Sequence, residues 1–118
     1  CMVKGANFVI NYKDNILRNE LAKINAKEVD VVIDMVGGQH ALNAVKSLSW
    51  NGRIIIVGFA SGNIPEIPAN RLLLKNASAI GLYWGELAYR KPKEIRKDFL
   101  KLGSLSFHPS VCRCFCSK

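Results

Sequence analysis

Two apolar runs that each break into glycine constrain this chain more than any other feature: VDVVIDMVGG at residues 29–38 and GRIIIVGFASG at residues 52–62. Each is apolar on both faces and too short for a helix, which is the pattern of a parallel strand buried on both sides. One helix-length segment separates them, so together they read as a right-handed βαβ crossover. In an open α/β sheet, ligands collect beyond the carboxyl ends of the strands. The residues just after each run are therefore the candidates for function.

The remaining segments fit around that unit. Residues 2–6 read as the frayed end of a helix stopped by glycine, and Phe8 to Tyr12 as a short strand. Asp14 is placed to cap a helix whose Leu17, Leu21 and Ile24 recur on one face. Residues 39–50 read as the next helix, with Ala41, Val45 and Leu48 inward and Asn51-Gly52 as its stop, since both residues tolerate positive φ. Arg53 to Gly58 is the third strand; Pro65 and Pro68 then forbid pairing, and Pro68 can start a short helix through Leu74. Ser78 to Trp84 reads as a fourth strand, and Pro92, Ile95, Phe99 and Gly103 mark out a last amphipathic helix. Alternating strands and helices predict an α/β fold with a parallel sheet. A methyltransferase or a flavodoxin-like domain gives the same order, so the pattern alone names no chemistry.

At 118 residues, 49% of them hydrophobic, the chain has the size and apolar content of one domain. No secretory signal is recognisable, and no apolar run reaches the ~18 residues of a membrane span, so neither a membrane nor an oxidising compartment is expected. The net charge of +8 is uneven: residues 1–60 carry seven basic and five acidic side chains, residues 61–118 ten and four. The excess lies chiefly between Arg90 and Lys101, where Glu94 and Asp98 interleave with cations at helical spacing. That is a solvated helix face, not a nucleic-acid footprint. Cys112, Cys114 and Cys116 alternate near the end of the sequence, four residues and more after His108, and the segment reads as a tail with reduced thiols rather than as a tetrahedral metal site. Asp34, at a strand end before a helix, suits backbone bonding better than general-base work, and His40 and His108 have no carboxylate or nucleophile at a telling spacing. No residue is nominated as catalytic or metal-binding.

GANFVINYKD, VDVVIDMVGG and WNGRIIIVGFASGNIPEIPANRLLLKNASAIGLYWG together resemble the nucleotide-binding domain of medium-chain dehydrogenases/reductases, in the quinone oxidoreductase-like branch related to zeta-crystallin. The likeness covers roughly residues 1 to 86 and rests most on VGFASG and LLLKNAS in combination. It implies a Rossmann-like, doubly wound parallel sheet and a zinc-independent enzyme that passes a hydride from NADPH to a quinone or an α,β-unsaturated carbonyl. By the resemblance, Tyr12 lies near the adenosine phosphate end of NADPH. Val36, Gly37 and Gly38 pass under the nicotinamide ribose, Gly58, Phe59, Ala60 and Ser61 line the same groove, and Leu82, Tyr83 and Trp84 form its far wall. Family members commonly pair through the edge strand corresponding to Ala79 to Tyr83, and they occupy the cytosol or the mitochondrial matrix.

The sequence holds no G-x-G-x-x-G loop, the motif that grips pyrophosphate after the first strand of such a domain. In the strand order 3-2-1-4-5-6 the recognisable runs are strands 3 to 6, so the first two strands are not represented. The expectation is a partial NADP-binding domain over residues 1–103, with a divergent, disordered tail at 104–118, cut from a longer protein whose catalytic domain precedes it. Such a piece is expected to be inactive alone, to bind NADPH weakly or not at all, and to be poorly stable or to associate. The alternative is a non-catalytic isoform that pairs with full-length subunits through its edge strand.

Overall fold

The computed structural model describes residues 2–4, 6–11, 17–24 and 28–97. The chain divides into two compact units, one formed by Leu17–Trp84 and the other by Cys1–Ile16 with Gly85–Lys118.

The first unit is built on a parallel three-stranded sheet of order β1-β2-β3, with β1 Val29–Asp34, β2 Leu48–Ile56 and β3 Ser78–Gly81. Helix α1 (Leu17–Lys23) precedes it, α2 (Gly38–Lys46) joins β1 to β2, and α3 (Ala69–Leu73) lies in the connection from β2 to β3. Both crossovers step across the sheet in the same direction, and right-handedness sends both helices to the same face. Burial agrees with that placement. The row Val32–Ile54 is buried beneath the helices together with Ala41, Ala44, Val45 and Leu48. The row Ile33–Ile55–Ile80 on the opposite face leaves Ile33 61% and Ile80 44% exposed. The apolar runs predict cover on both sides; among the described helices, those that connect the strands cover one.

Three elements differ from the sequence expectation. Residues 8–11 of the expected Phe8–Tyr12 strand form no strand. In the 3-2-1-4-5-6 order that segment pairs with strand 2, a place no described segment occupies, and a strand exists only through its ladder. Helix α2 ends at Lys46, capped by Ser47, rather than at Trp50. Leu48 to Trp50 instead open β2, and Val29 pairs with Leu48 while Val31 pairs with Arg53, so an irregular stretch of β2 bulges out opposite Asp30. Asn51 takes its positive φ, 61°, inside this bulge, and a Cβ on Gly52 would meet the Ser49 carbonyl at 2.9 Å. The Asn-Gly signal for positive φ therefore holds, but it turns a strand instead of ending a helix. Finally, β3 stops at Gly81 and Trp84 begins α4 (Trp84–Arg90).

Other expectations hold. Leu21 is fully buried on α1, Pro68 caps α3, and residues 92–97 are helical after Lys91. The expected terminal helix turn is a 3₁₀ helix at Met2–Lys4. Ala6, Ile10 and Ile95 are the buried apolar residues of the second unit among those described. Asp14, Phe99, Gly103, His108 and the cysteines at 112, 114 and 116 lie outside the described residues.

A lysine ties the far end of the sheet together. The Lys75 ammonium donates to the carbonyls of Lys46 and Leu48, where α2 ends and β2 starts, and lies 3.6 Å from the Glu28 carboxylate. A cation suits the negative end of a helix dipole. Leu48, with no exposed surface, packs at this junction. Leu48→Ala is expected to lower stability by about 2–5 kcal/mol, read as a reduced urea midpoint, whereas exposed Leu73→Ala should change it little.

Candidate functional site at the carboxyl ends of the strands

Past Asp34 the chain turns sharply. The Asp34 carboxylate is buried and accepts the backbone N–H of Val36 at 3.0 Å and of Gly37 at 3.1 Å, an Asx-type turn that ends β1. Gly37 has φ 76° and ψ −158°, a region open essentially to glycine alone. Gly38 follows with φ 56° and starts α2. A Cβ on Gly37 would lie 2.8 Å from the Asn63 carbonyl oxygen and 2.9 Å from Phe59 Cδ1, so the ring of Phe59 rests on the bare backbone of Gly37.

The loop after β2 is spliced to this turn. Ala60 N–H donates to the Met35 carbonyl at 3.0 Å, Ser61 N–H to that of Val36 at 2.9 Å, and Gly38 N–H to that of Asn63 at 2.9 Å. Ser61 Oγ accepts from the backbone N–H of Asn63 at 3.3 Å. Beside the spliced loops runs a groove of about 520 Å³, lined by Ile56, Val57, Gly58 and Phe59 from β2 and its loop and by Gly81, Leu82 and Tyr83 from the end of β3. Leu82 N–H donates to the Ile56 carbonyl at 2.8 Å, extending the ladder to the groove's edge.

The residues singled out in the sequence are thus distributed over one region with different duties. Gly58, Phe59, Leu82 and Tyr83 line the groove; Val36, Gly37, Gly38, Ala60 and Ser61 build the spliced loops beside it. Trp84 is not a lining residue, because the chain has already turned into α4. Tyr12 lies outside the described residues. Sequence reasoning missed Met35 and Asn63, which act through main-chain carbonyls and so leave no side-chain signature, and Gly81, whose place at the groove is set by pairing with Ile56. Among the described residues no group of three histidine, cysteine or acidic side chains is placed to hold a metal. No described helix is long and apolar enough to cross a membrane.

The glycines sort by geometry. Gly37 is required by both φ and crowding, and Gly62, at φ 78°, by φ alone. Gly58 and Gly81 need neither: a Cβ on Gly58 would meet only the Met35 carbonyl at 3.7 Å, and one on Gly81 nothing within 4 Å. Both line the groove, Gly81 with open space around it and Gly58 in ordinary contact with the Met35 carbonyl, and at both the lack of a side chain lets a flat ligand approach the backbone.

A parallel sheet with a crevice outside its carboxyl edge is the arrangement of a Rossmann-like α/β subdomain. The model of the zinc-binding dehydrogenase family matches residues 1–103, and the chain belongs to that family. Within it, the chain is 49% identical over 88 residues to quinone oxidoreductase-like protein 2 of Mus musculus, covering 74% of this chain and 25% of that protein. It is 52% identical over 85 residues to the Bos taurus protein of the same name, covering 71% of this chain and 24% of the relative. The chain therefore spans about a quarter of the length of these relatives. Among solved structures, the fold is similar to the nucleotide-binding subdomain of the enoylreductase domain of PpsC from Mycobacterium tuberculosis, with TM-score 0.59 and 21% identity over 73% of this chain and 49% of that one. It is also similar to an alcohol dehydrogenase, rspB, from E. coli CFT073 complexed with NADH, with TM-score 0.65 and 21% identity over 86% of this chain and 29% of that one.

Replacing Gly37 with alanine forces a side chain into a glycine-only conformation and against a backbone oxygen. Gly37→Ala is expected to cost at least about 1–3 kcal/mol in urea unfolding, and Gly58→Ala, which meets neither obstacle, to be close to neutral.

Proposed function

We propose that this chain forms the nicotinamide-side half of the NADPH groove of a quinone or enone oxidoreductase. The observation that carries this reading is that Gly58 and Gly81, which neither positive φ nor close packing requires to be glycine, both line one uncharged groove at the strand ends. A flat, uncharged ring fits there, and the apolar side chains of Ile56, Val57, Leu82 and the Phe59 ring exclude water from one side of it. The spliced loops present main-chain groups and the exposed Ser61 hydroxyl to the ribose and carboxamide. The bound reduced nicotinamide supplies a hydride to the acceptor's electrophilic carbon. This chain's part is to hold and orient the ring; no described side chain is assigned a proton-transfer role.

Affinity for the whole dinucleotide is a separate matter. Pyrophosphate is normally held by a G-x-G-x-x-G turn after the first strand of such a domain, and this sequence contains no such motif. The choice of NADPH over NADH rests on the resemblance to quinone oxidoreductases, as does placement in the cytosol or mitochondrial matrix. Reduced nicotinamide mononucleotide is expected to shift the amide resonances of Gly58, Phe59, Gly81 and Leu82, with an affinity on the order of 1 mM, about −4 kcal/mol. NADPH should bind little more tightly. Saturable micromolar NADPH binding by the 118-residue chain would overturn the half-groove reading.

A second reading is favoured by β3, which ends the sheet with all four residues exposed. It pairs with a full-length subunit or a second copy by adding a strand at this edge. Leu82 N–H points to β2, so by alternation the backbone groups of Ala79 and Gly81 point outward. Ala79→Pro removes an outward donor without touching the β2 ladder and is expected to abolish association seen by sedimentation; association unchanged in that variant excludes this edge.

A further inference from the structure

We infer that Asp34 is a positioning residue for the groove, setting the place of the Phe59 wall through the turn it holds. The inference builds on the nicotinamide-groove reading, and its structural part can be tested apart from it. Asp34 is the one charged side chain buried among the described residues, and it does not line the groove. Both of its recorded partners are backbone N–H groups of the turn: Val36 at 3.0 Å, and Gly37 at 3.1 and 3.2 Å from the two carboxylate oxygens. Those three bonds keep Gly37 in a backbone region that it would otherwise leave. With Gly37 fixed, the carbonyls of Met35 and Val36 are presented to the N–H groups of Ala60 and Ser61, and Gly38 N–H is presented to Asn63. Phe59, the residue before Ala60, is thereby drawn over Gly37, close enough that a Cβ there would fall 2.9 Å from its ring.

The chain of dependence is therefore carboxylate, turn, splice and wall. Its middle links are three backbone bonds whose positions a reader of side chains would overlook. The loop after β2 has little else to hold it: Ala60, Ser61, Gly62, Asn63 and Ile64 are all exposed. Removing the carboxylate leaves two N–H groups without their partner and frees Gly37 to sample its large allowed space. The loop then loses its register and the ring of Phe59 its seat. Asparagine preserves the role, because its single carbonyl oxygen can take the place of Oδ1, which accepts from both Val36 and Gly37. Glutamate retains the charge but, one methylene longer, carries it away from the turn.

The experiment is amide hydrogen exchange by NMR on the full 118-residue chain, for the wild type and for Asp34→Asn, Asp34→Ala and Asp34→Glu. In Asp34→Ala the Ala60 and Ser61 amides are expected to exchange at least about tenfold faster, the factor equivalent to about 1.4 kcal/mol. In Asp34→Asn they should remain close to wild type. Ile54, in the middle of β2, reports whether the loosening is local and should keep its protection. If Asp34→Ala loses its fold, Asp34→Glu carries the comparison, with the same loss of protection expected at Ala60 and Ser61. Unchanged protection of those two amides in the Ala or Glu variant would overturn the proposal, as would equal loss in the Asn variant. In a second arm, reduced nicotinamide mononucleotide should bind Asp34→Ala about tenfold more weakly than wild type, with Asp34→Asn restoring the affinity. Wild-type protein giving no ligand shifts would overturn the nicotinamide reading, while the exchange arm would still decide the role of Asp34.

Discussion

Parallel strands cannot be joined by tight turns, and this requirement organises the first unit. Each step from β1 to β2 and from β2 to β3 needs a crossover, and handedness sends successive crossovers in one direction to one face. The core follows directly: Ala41 and Val45 of α2 close over Leu48 and Ile54, which have no exposed surface. The open face follows as well, since the row from Ile33 to Ile80 lies on the side that these crossovers do not visit. Because all strands point the same way, their carboxyl ends gather at one edge, and the loops that leave them must share it.

At that edge the backbone does most of the construction. The turn after β1 and the loop after β2 are held to each other by main-chain bonds, with Asp34 as the buried anchor beneath and Phe59 lying above Gly37. The groove beside them is left without charge and without side chains at Gly58 and Gly81. Such an arrangement offers shape rather than charge. The chain belongs to the zinc-binding dehydrogenase family, and the relatives it resembles are named quinone oxidoreductase-like.

The opposite edge of the sheet is held differently. Lys75 reaches from the turn after α3 to the carbonyls at the α2–β2 junction, and Asn51 and Asn76, both at positive φ, meet through their side chains. This fastening keeps β2 and the connection to β3 in register at the amino-terminal side. The groove can therefore be shaped at one end of the sheet by loops that carry few buried side chains.

Much of this was legible in the sequence. Period, glycine breaks and prolines located β1, β2, the start of α3 at Pro68 and β3, because those signals act over a few residues and reflect the local backbone. Asp34 was legible as a backbone-bonding residue for the same reason. The end of α2 was not, because Leu48 suits the inward face of a helix as well as that of a strand, and only pairing with Val29 decides between them. Strand formation over residues 8–11 also hangs on a neighbour, and the run FVIN carries no information about whether one is present. Composition gave the strands as apolar on both sides, while the tertiary arrangement decided which side is covered, since handedness belongs to the crossover and not to the strand. The same holds at the site: the sequence supplied the glycines, and only the fold separated Gly37, which strain and crowding demand, from Gly58 and Gly81, which neither demands.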